Sequence, residues 1–197
     1  VAEPIWQHQN KTWQEALEDA GELLGRVAIP DAKERLVDYP HQFSGGMRQR
    51  VMIAMALACK PKLIIADEPT TALDVTVQAQ ILSLLKNLTT ELNSSLILIT
   101  HDLGVVARYA NRVAVMYGGR IVETATASEL YKNPQHPYTQ GLMDSIPTLH
   151  GQPGARLETI DGQPPDLSSL PEGCSFHPRC PYAQALCTEG KPELELI

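Results

Sequence analysis

The chain has 197 residues, a formal net charge of −7 and a sequence pI of about 5.3, and this acidic balance argues against a nucleic-acid-binding protein, which usually has a basic face. Apolar residues make up 43% of the chain, enough for one packed domain with an appended segment. The sequence has no long apolar run and no signal-like start, so it predicts neither a membrane span nor secretion. We therefore expect a partner protein to make any link to a membrane.

The first 100 residues predict alternating helices and strands. Helical patterns cover residues 13–24, 47–59 and 77–92. Two short apolar runs, residues 63–66 and 96–99, are typical of buried parallel strands. This order predicts an α/β domain with a mostly parallel sheet, whose ligands lie at the carboxyl ends of the strands.

Smaller elements are predicted in the second half of the chain. They are a short helix over residues 103–110, a hairpin over 113–123 that turns at Gly118 and Gly119, and short helices near 128–130 and 138–143. The composition changes near Pro147, and residues 147–173 are rich in Pro, Gly and Ser, which is typical of an extended connector. We therefore predict one domain over residues 1–146 and a C-terminal extension over 147–197.

Acidic and imidazole side chains follow the two predicted strands. Asp67 and Glu68 come directly after the first apolar run, where one carboxylate can help to hold Mg²⁺ and the other can orient a water for attack on a phosphate. A pair of solvated acids is the alternative, since most exposed acids have no further role. His101 follows the second run and would share a rim with Glu68 if the strands are parallel neighbours. A partly buried structural histidine is the alternative for His101, and a helix cap for Asp74.

A serine and two glycines precede the helical pattern that begins near residue 47. Backbone amides at a helix start, together with the Ser44 hydroxyl, can bind an anion, and Gly45 and Gly46 allow a close approach of the ligand. An ordinary helix N-cap is the alternative, because serine and glycine are common there.

Taken together, these motifs resemble the ATP-binding cassette (ABC) ATPase family in order and in spacing. The residues that carry the resemblance are the segments 44–50 (SGGMRQR), 63–68 (LIIADE), 72–74 (ALD) and 100–102 (THD). They correspond to the family's signature loop, Walker B motif, D-loop and switch histidine. Phe43 and Met47 depart from the usual signature, which has Leu and Gln at these places. The resemblance implies a cassette over residues 1–146.

The resemblance also implies a role for each site residue. Asp67 would help to hold Mg²⁺, Glu68 would be the catalytic base, and His101 would contact the γ-phosphate of ATP. The signature residues Ser44, Gly45 and Gly46 would contact the γ-phosphate of ATP held by an opposite subunit. Asp74 would communicate across that dimer.

No G-x-x-x-x-G-K-[ST] phosphate loop occurs in the sequence, and Gln7 and Gln9 do not lie in a convincing glutamine-loop context. In the family the phosphate loop precedes the signature. We therefore expect this chain to be an N-terminally truncated part of a longer protein, which alone neither binds nor hydrolyses ATP.

Three of the four cysteines lie close to the end of the chain. Together with residues 136–139 (HPYT), the cysteines Cys174, Cys180 and Cys187 resemble the C-terminal extension of oligopeptide/dipeptide importer ATPases, which nickel importers share. The Met47-Arg48 pair resembles the D-type subunit of these importers. In some members the extension carries a [4Fe–4S] cluster, so an Fe–S or zinc site is one hypothesis and three reduced thiols are the alternative. Cys59, in an apolar helical pattern, is expected in the core.

The resemblance implies the motor subunit of an ABC importer for peptides, peripheral to the cytoplasmic face of the inner membrane. The implied partners are a second ABC ATPase in a head-to-tail dimer, two integral membrane permease subunits and, indirectly, an extracytoplasmic solute-binding protein. The motor of a nickel or small-solute importer, a soluble ABC ATPase, and a regulatory fragment are the alternatives. The acidic balance and the lack of inserted coiled-coil heptads argue against the soluble class.

Overall fold

The structure is a computed structural model that describes residues 1–146 and 159–195. The chain divides into two compact units, Val1–Leu103 and Gly104–Ile197. Of the predicted connector over residues 147–173, the part from 147 to 158 lies outside the described residues. Within those residues, no helix combines the length and the apolar character that crossing a bilayer requires.

The first unit alternates helices with two strands. Its elements are α1 (Ala2–His8), α2 (Trp13–Arg26), α3 (Gly45–Leu57), β1 (Leu63–Asp67), α4 (Val75–Glu91) and β2 (Ser95–Ile99), with 3-10 turns at Glu34–Val37 and Pro40–Gln42. The predicted helices and strands are confirmed with ends that differ by about two residues, and α1 is an addition. The α/β prediction is confirmed as well.

The two strands are parallel, as predicted, but the sheet is covered on one face only. Ile64 is 6% exposed, whereas Leu63, Ile65, Ile97 and Ile99 are 47–63% exposed. The expectation that both runs are wholly buried is wrong. In the described residues helices cover only one face of the two-stranded sheet, and the alternate side chains on the other face are exposed.

The core of the first unit lies between its helices and the covered face of the sheet. Ile5, Leu24, Ile53 and Ile81 are buried there. The expectation of a core Cys59 is wrong. This thiol is exposed, because α3 ends at Leu57 and the chain then turns towards β1.

The second unit contains a hairpin and short helices. Its elements are α5 (Leu103–Tyr109), which begins at the last residue of the first unit, β3 (Arg112–Tyr117), β4 (Arg120–Thr126), α6 (Ala127–Lys132), α7 (Pro137–Asp144), a 3-10 turn at His177–Arg179 and α8 (Leu186–Glu189). The predicted turn is confirmed, since Gly118 and Gly119 have φ angles of +54° and +75°. Two successive positive φ angles are the geometry of a type I′ hairpin turn, which glycine adopts without strain.

An aromatic cluster holds the C-terminal segment against the hairpin. Phe176 is 2% exposed, and its ring lies 5.1 Å from that of Tyr117 and 5.4 Å from that of Tyr138. The Arg179 guanidinium donates to the backbone oxygens of Ile160 at 3.1 Å and Asp161 at 2.8 Å. These contacts fix residues 160–161 and 176–179 on the same side of the hairpin.

Candidate functional site

The carboxyl ends of the two parallel strands bring Glu68 and His101 together. Asp67 pairs with Ile99 in the strand register, and the Glu68 amide donates to the Ile99 carbonyl oxygen at 2.9 Å. His101 lies two residues beyond the end of β2, and its Nδ1 is 2.8 Å from Oε1 of Glu68. The prediction that these two side chains share one rim of the sheet is confirmed by this contact.

The contact lowers the pKa of Glu68 and indicates which ring nitrogen of His101 donates. Hydrogen bonds, first from His101 and then from Thr71, lower the pKa of the Glu68 carboxyl. An ionised carboxylate can only accept hydrogen bonds, so the His101 Nδ1 carries the proton and donates. The other ring nitrogen, Nε2, is then available to a ligand. Because the His101 side chain is 81% exposed, the alternative of a partly buried structural histidine is wrong.

The backbone at Glu68 is strained. Its φ angle is +41°, and that of Ala72 in the same turn is +64°. A non-glycine residue in this region costs about 1–3 kcal/mol and persists where surrounding contacts hold it, often at functional sites. Here the bond from the Glu68 amide to Ile99 is one such contact.

Thr71 is a residue of this site that the sequence analysis did not single out. Its hydroxyl donates to Oε2 of Glu68 at 2.9 Å, and its amide donates to the Glu68 carbonyl oxygen at 3.1 Å. Each carboxylate oxygen of Glu68 therefore has its own donor. The sequence did contain a signal for this contact: Thr71 is a hydroxyl residue three positions after an acid, in a turn that contains a proline. Local bonds from a side chain to the backbone or to another side chain are common in such turns.

A second contact that the sequence analysis missed ties α4 to the end of β2. The Gln78 amide nitrogen donates to Oδ2 of Asp102 at 3.2 Å, and the Asp102 amide donates to the Thr100 hydroxyl at 3.0 Å. These bonds involve Thr100 and Asp102, the residues directly before and after His101 in the sequence. They position the backbone that carries the imidazole.

Asp67 is exposed at the end of β1. Among the described residues, no group of three or more His, Cys, Asp or Glu side chains could hold a metal by itself. Mg²⁺ is commonly bound by one or two protein carboxylates together with waters and phosphate oxygens. A single exposed carboxylate beside Glu68 fits that requirement when the remaining ligands come from a bound nucleotide.

The serine and glycines of segment 44–46 form the start of α3. Ser44 is the N-cap, and its hydroxyl accepts from the Met47 amide at 3.3 Å. A Cβ atom on Gly46 would lie 3.0 Å from Cγ1 of Val77 in α4. The helix-cap interpretation is therefore confirmed for Ser44, and Gly46 allows the starts of α3 and α4 to approach closely. No hydrogen bond in the described residues joins Ser44 to Glu68 or His101.

Asp74 is the N-cap of α4. Its Oδ1 accepts from the amides of Thr76 at 3.1 Å and Val77 at 3.0 Å. The helix-cap alternative is thus confirmed for Asp74 in this chain. The cap does not test whether Asp74 also acts across a dimer, because a single chain is described.

The three C-terminal cysteines do not form a metal site. The backbone brings Cys174 and Cys187 together, through a hydrogen bond of 2.9 Å from the Cys174 amide to the Cys187 carbonyl oxygen. Cys180 lies at the end of the 3-10 turn His177–Arg179. All three are free thiols, and they belong to no metal-binding group in the described part of the chain. The Fe–S or zinc hypothesis is therefore not supported.

Comparison with known proteins bears on the family. A family model described as ABC transporter matches residues 3–71, and one described as the oligopeptide/dipeptide transporter C-terminal region matches residues 122–187. Across 98% of its length the chain is 53% identical to the oligopeptide transport ATP-binding protein OppD of Salmonella typhimurium, and equally to the dipeptide transport ATP-binding protein DppD of Bacillus subtilis. The chain is thus similar along nearly its whole length to the ATP-binding proteins of ABC transporters.

The ABC assignment agrees with the fold. The dimeric structure of MJ0796, a bacterial ABC transporter cassette, matches 59% of this chain with a TM-score of 0.50 and 35% sequence identity, over 49% of its own chain. The chain spans 57% of the length of OppD and of DppD. The activity, substrates and partners of the whole protein are therefore taken up as proposals.

Proposed function

We propose that the full-length protein is the ATP-hydrolysing motor subunit of an ABC importer for dipeptides or oligopeptides. The observation that carries the proposal is the 2.8 Å contact between His101 and Glu68 at the tips of two parallel strands. Ligands of open α/β sheets bind outside the carboxyl ends of the strands. The peptide substrate is supported by the printed names of OppD and DppD and by the match to the oligopeptide/dipeptide C-terminal region.

Glu68 is proposed as the base that takes a proton from the attacking water. Hydrogen bonds from His101 and Thr71 lower its pKa and orient the carboxylate, which is ionised near neutral pH and can accept that proton. Asp67, the last residue of β1, would help to hold Mg²⁺, which neutralises phosphate charge when ATP is bound. The phosphate loop must come from a part of the protein outside this chain, since the motif is absent from its sequence.

His101 is proposed to contact the γ-phosphate through Nε2. Because Nδ1–H is used by Glu68, the phosphate contact needs a second proton on Nε2, for a phosphate oxygen only accepts hydrogen bonds. His101 would then stabilise negative charge on the phosphate while keeping Glu68 in place.

The signature loop and Asp74 are proposed to act between subunits. Ser44, Gly45 and Gly46 at the start of α3 offer amides and a hydroxyl that suit a phosphate, and in the proposed head-to-tail dimer they would meet ATP held by a second ABC ATPase. Asp74 would communicate across the same dimer. Two membrane permease subunits and, indirectly, an extracytoplasmic solute-binding protein complete the proposed assembly. In this proposed assembly the protein would lie at the cytoplasmic face of the inner membrane.

The cassette function is assigned to residues 1–146 and the extension to 147–197. The proposed cofactors are ATP and Mg²⁺. An iron–sulfur cluster is left out of the proposal, because the described cysteines do not form a group that fits it.

The decisive test of the site is Glu68→Gln in the full-length protein. The amide keeps the shape of the side chain but cannot act as the base, so we expect turnover to fall by about 10²–10⁴-fold. Nucleotide affinity, measured by calorimetry, should stay close to that of the unaltered protein. Unchanged ATP turnover would remove Glu68 from this role.

The substrate class is tested separately with the assembled transporter in vesicles. We expect ATP-dependent uptake of labelled dipeptides or oligopeptides, and none with Glu68→Gln. Uptake of nickel without peptide uptake would favour the small-solute alternative, and ATPase activity that needs no membrane subunit would favour the soluble class.

A further inference from the structure

The two oxygens of the Glu68 carboxylate are held by different partners. Oε1 lies 2.8 Å from the His101 imidazole, and Oε2 accepts from the Thr71 hydroxyl at 2.9 Å. Two donors on opposite oxygens fix the plane of a carboxylate, whereas a single donor leaves it free to rotate about its last torsion. The orientation of Glu68 thus depends on Thr71 as well as on His101.

The turn that carries Glu68 is built around the same threonine. Besides its hydroxyl contact, Thr71 donates its backbone amide to the Glu68 carbonyl oxygen at 3.1 Å. Glu68 itself has a φ of +41°. Side chain and backbone of Thr71 therefore both bind the one residue in the rim that combines a strained backbone with the proposed catalytic carboxylate.

We infer that Thr71 is a positioning residue for ATP hydrolysis. It aims the Glu68 carboxylate through its hydroxyl and holds the turn through its backbone amide. The inference rests on the proposed role of Glu68 as the base. His101 is itself proposed to contact the nucleotide and lies beyond the end of the other strand, whereas Thr71 belongs to the same turn as Glu68.

Thr71→Val in the full-length protein tests this inference, because valine keeps the size and branching of threonine and removes the hydroxyl. We expect kcat to fall by about ten-fold, as a misdirected base loses its alignment, with little change in nucleotide affinity. A fall in kcat without a matching fall in nucleotide affinity is the result expected of a misaligned base.

Two further variants make the test specific. Thr71→Ser restores a hydroxyl, and it should recover the turnover. Thr70→Val alters the neighbouring threonine, whose hydroxyl makes no hydrogen bond within residues 1–146 and 159–195, and it should behave as the unaltered protein does.

The outcomes separate this inference from the proposed function. If Glu68→Gln abolishes turnover but Thr71→Val retains normal kcat, Thr71 is only part of the turn and the positioning role is wrong. If Glu68→Gln itself hydrolyses ATP normally, Glu68 is not the base, and the proposed function rather than the role of Thr71 is contradicted. A loss in Thr71→Val that serine does not restore also contradicts the inference, since it would come from packing rather than from the hydroxyl.

Discussion

At the scale of single residues, the ionisation of Glu68 depends most on one exposed neighbour. The hydrogen bond from His101 is the largest cause of the lowered pKa of the Glu68 carboxyl, ahead of the bond from Thr71. A carboxyl whose pKa is lower in the folded protein stabilises the fold above its ordinary value of 4.5, and that contribution is lost as the pH falls through the lowered pKa. The side chains of Glu68 and His101 are both exposed, so their contact affects the charge and orientation of Glu68 more than the stability of the fold.

His101→Ala should therefore raise the pKa of Glu68 towards its ordinary value. We expect the rise to exceed that in Thr71→Val, following the order of the two causes, and a carbon-13 NMR titration of the carboxyl measures both. In the full-length protein the same change should reduce ATP hydrolysis more than nucleotide binding, because the imidazole is proposed to contact only the γ-phosphate. Wild-type turnover in His101→Ala would mean that the imidazole merely sits at the strand end.

At the scale of elements, the site is assembled from a strand end and two helix starts. Ser44 caps α3 and Asp74 caps α4, and Gly46 brings these two helix starts close together. Each cap satisfies backbone amides that the helix itself leaves unpaired. The residues proposed to act between subunits thus also secure the helices that carry them, and the two roles must be tested apart.

Substitutions at Asp74 separate capping from communication. Asp74→Ala removes the acceptor for the Thr76 and Val77 amides, and we expect a loss of about 1 kcal/mol, which lowers Tm by about 2–4 °C in a domain of this size class. Asp74→Asn keeps a good capping oxygen, so its Tm should stay near that of the unaltered protein. Thermal unfolding followed by circular dichroism measures both. An equal drop in Tm for the two variants would contradict the capping assignment, while a stable Asp74→Asn that loses turnover would support the role across the dimer.

At the scale of the whole molecule, the chain contains one half of the proposed phosphate site. The signature residues at the start of α3 make no hydrogen bond to Glu68 or His101 in the described residues, and the sequence has no phosphate loop. A helix start with an exposed serine can complete an anion site only with groups from elsewhere. The proposed function therefore requires an assembly larger than this chain.

Ser44→Arg in the full-length protein tests that requirement. Bulk and charge at the proposed interface between the two ATPases should block ATP-driven dimer closure and transport. The altered subunit's own nucleotide affinity should stay nearly intact. Closure is measured by light scattering or sedimentation with the Glu68→Gln background, which holds ATP. Ser44→Ala removes the same helix cap without the bulk, and Ser128→Arg adds the charge on an exposed part of α6, so both serve as controls. Normal transport by Ser44→Arg would overturn this interpretation of the signature loop.

The sequence by itself determined the elements and the family resemblance. Periodic apolar positions predicted α2, α3 and α4, and two short apolar runs predicted β1 and β2, because these patterns reflect which side of each element is covered. The motif segments 44–50, 63–68 and 100–102 were recognisable because their chemistry depends on residue type and spacing along the chain. The position of Glu68 and His101 on one rim followed from parallel pairing.

Only the tertiary structure decided the contacts that join distant positions. The uncovered face of the sheet could not be foreseen, since it depends on which elements pack on each face, and the exposed Cys59 depends on where α3 ends. The three cysteines share a short segment, but its path brings the backbone of Cys174 to Cys187 and forms no metal group with Cys180. The bond from Thr71 to Glu68 required the left-handed turn at Glu68, because local backbone geometry rather than residue spacing determines which hydroxyl reaches which carboxylate.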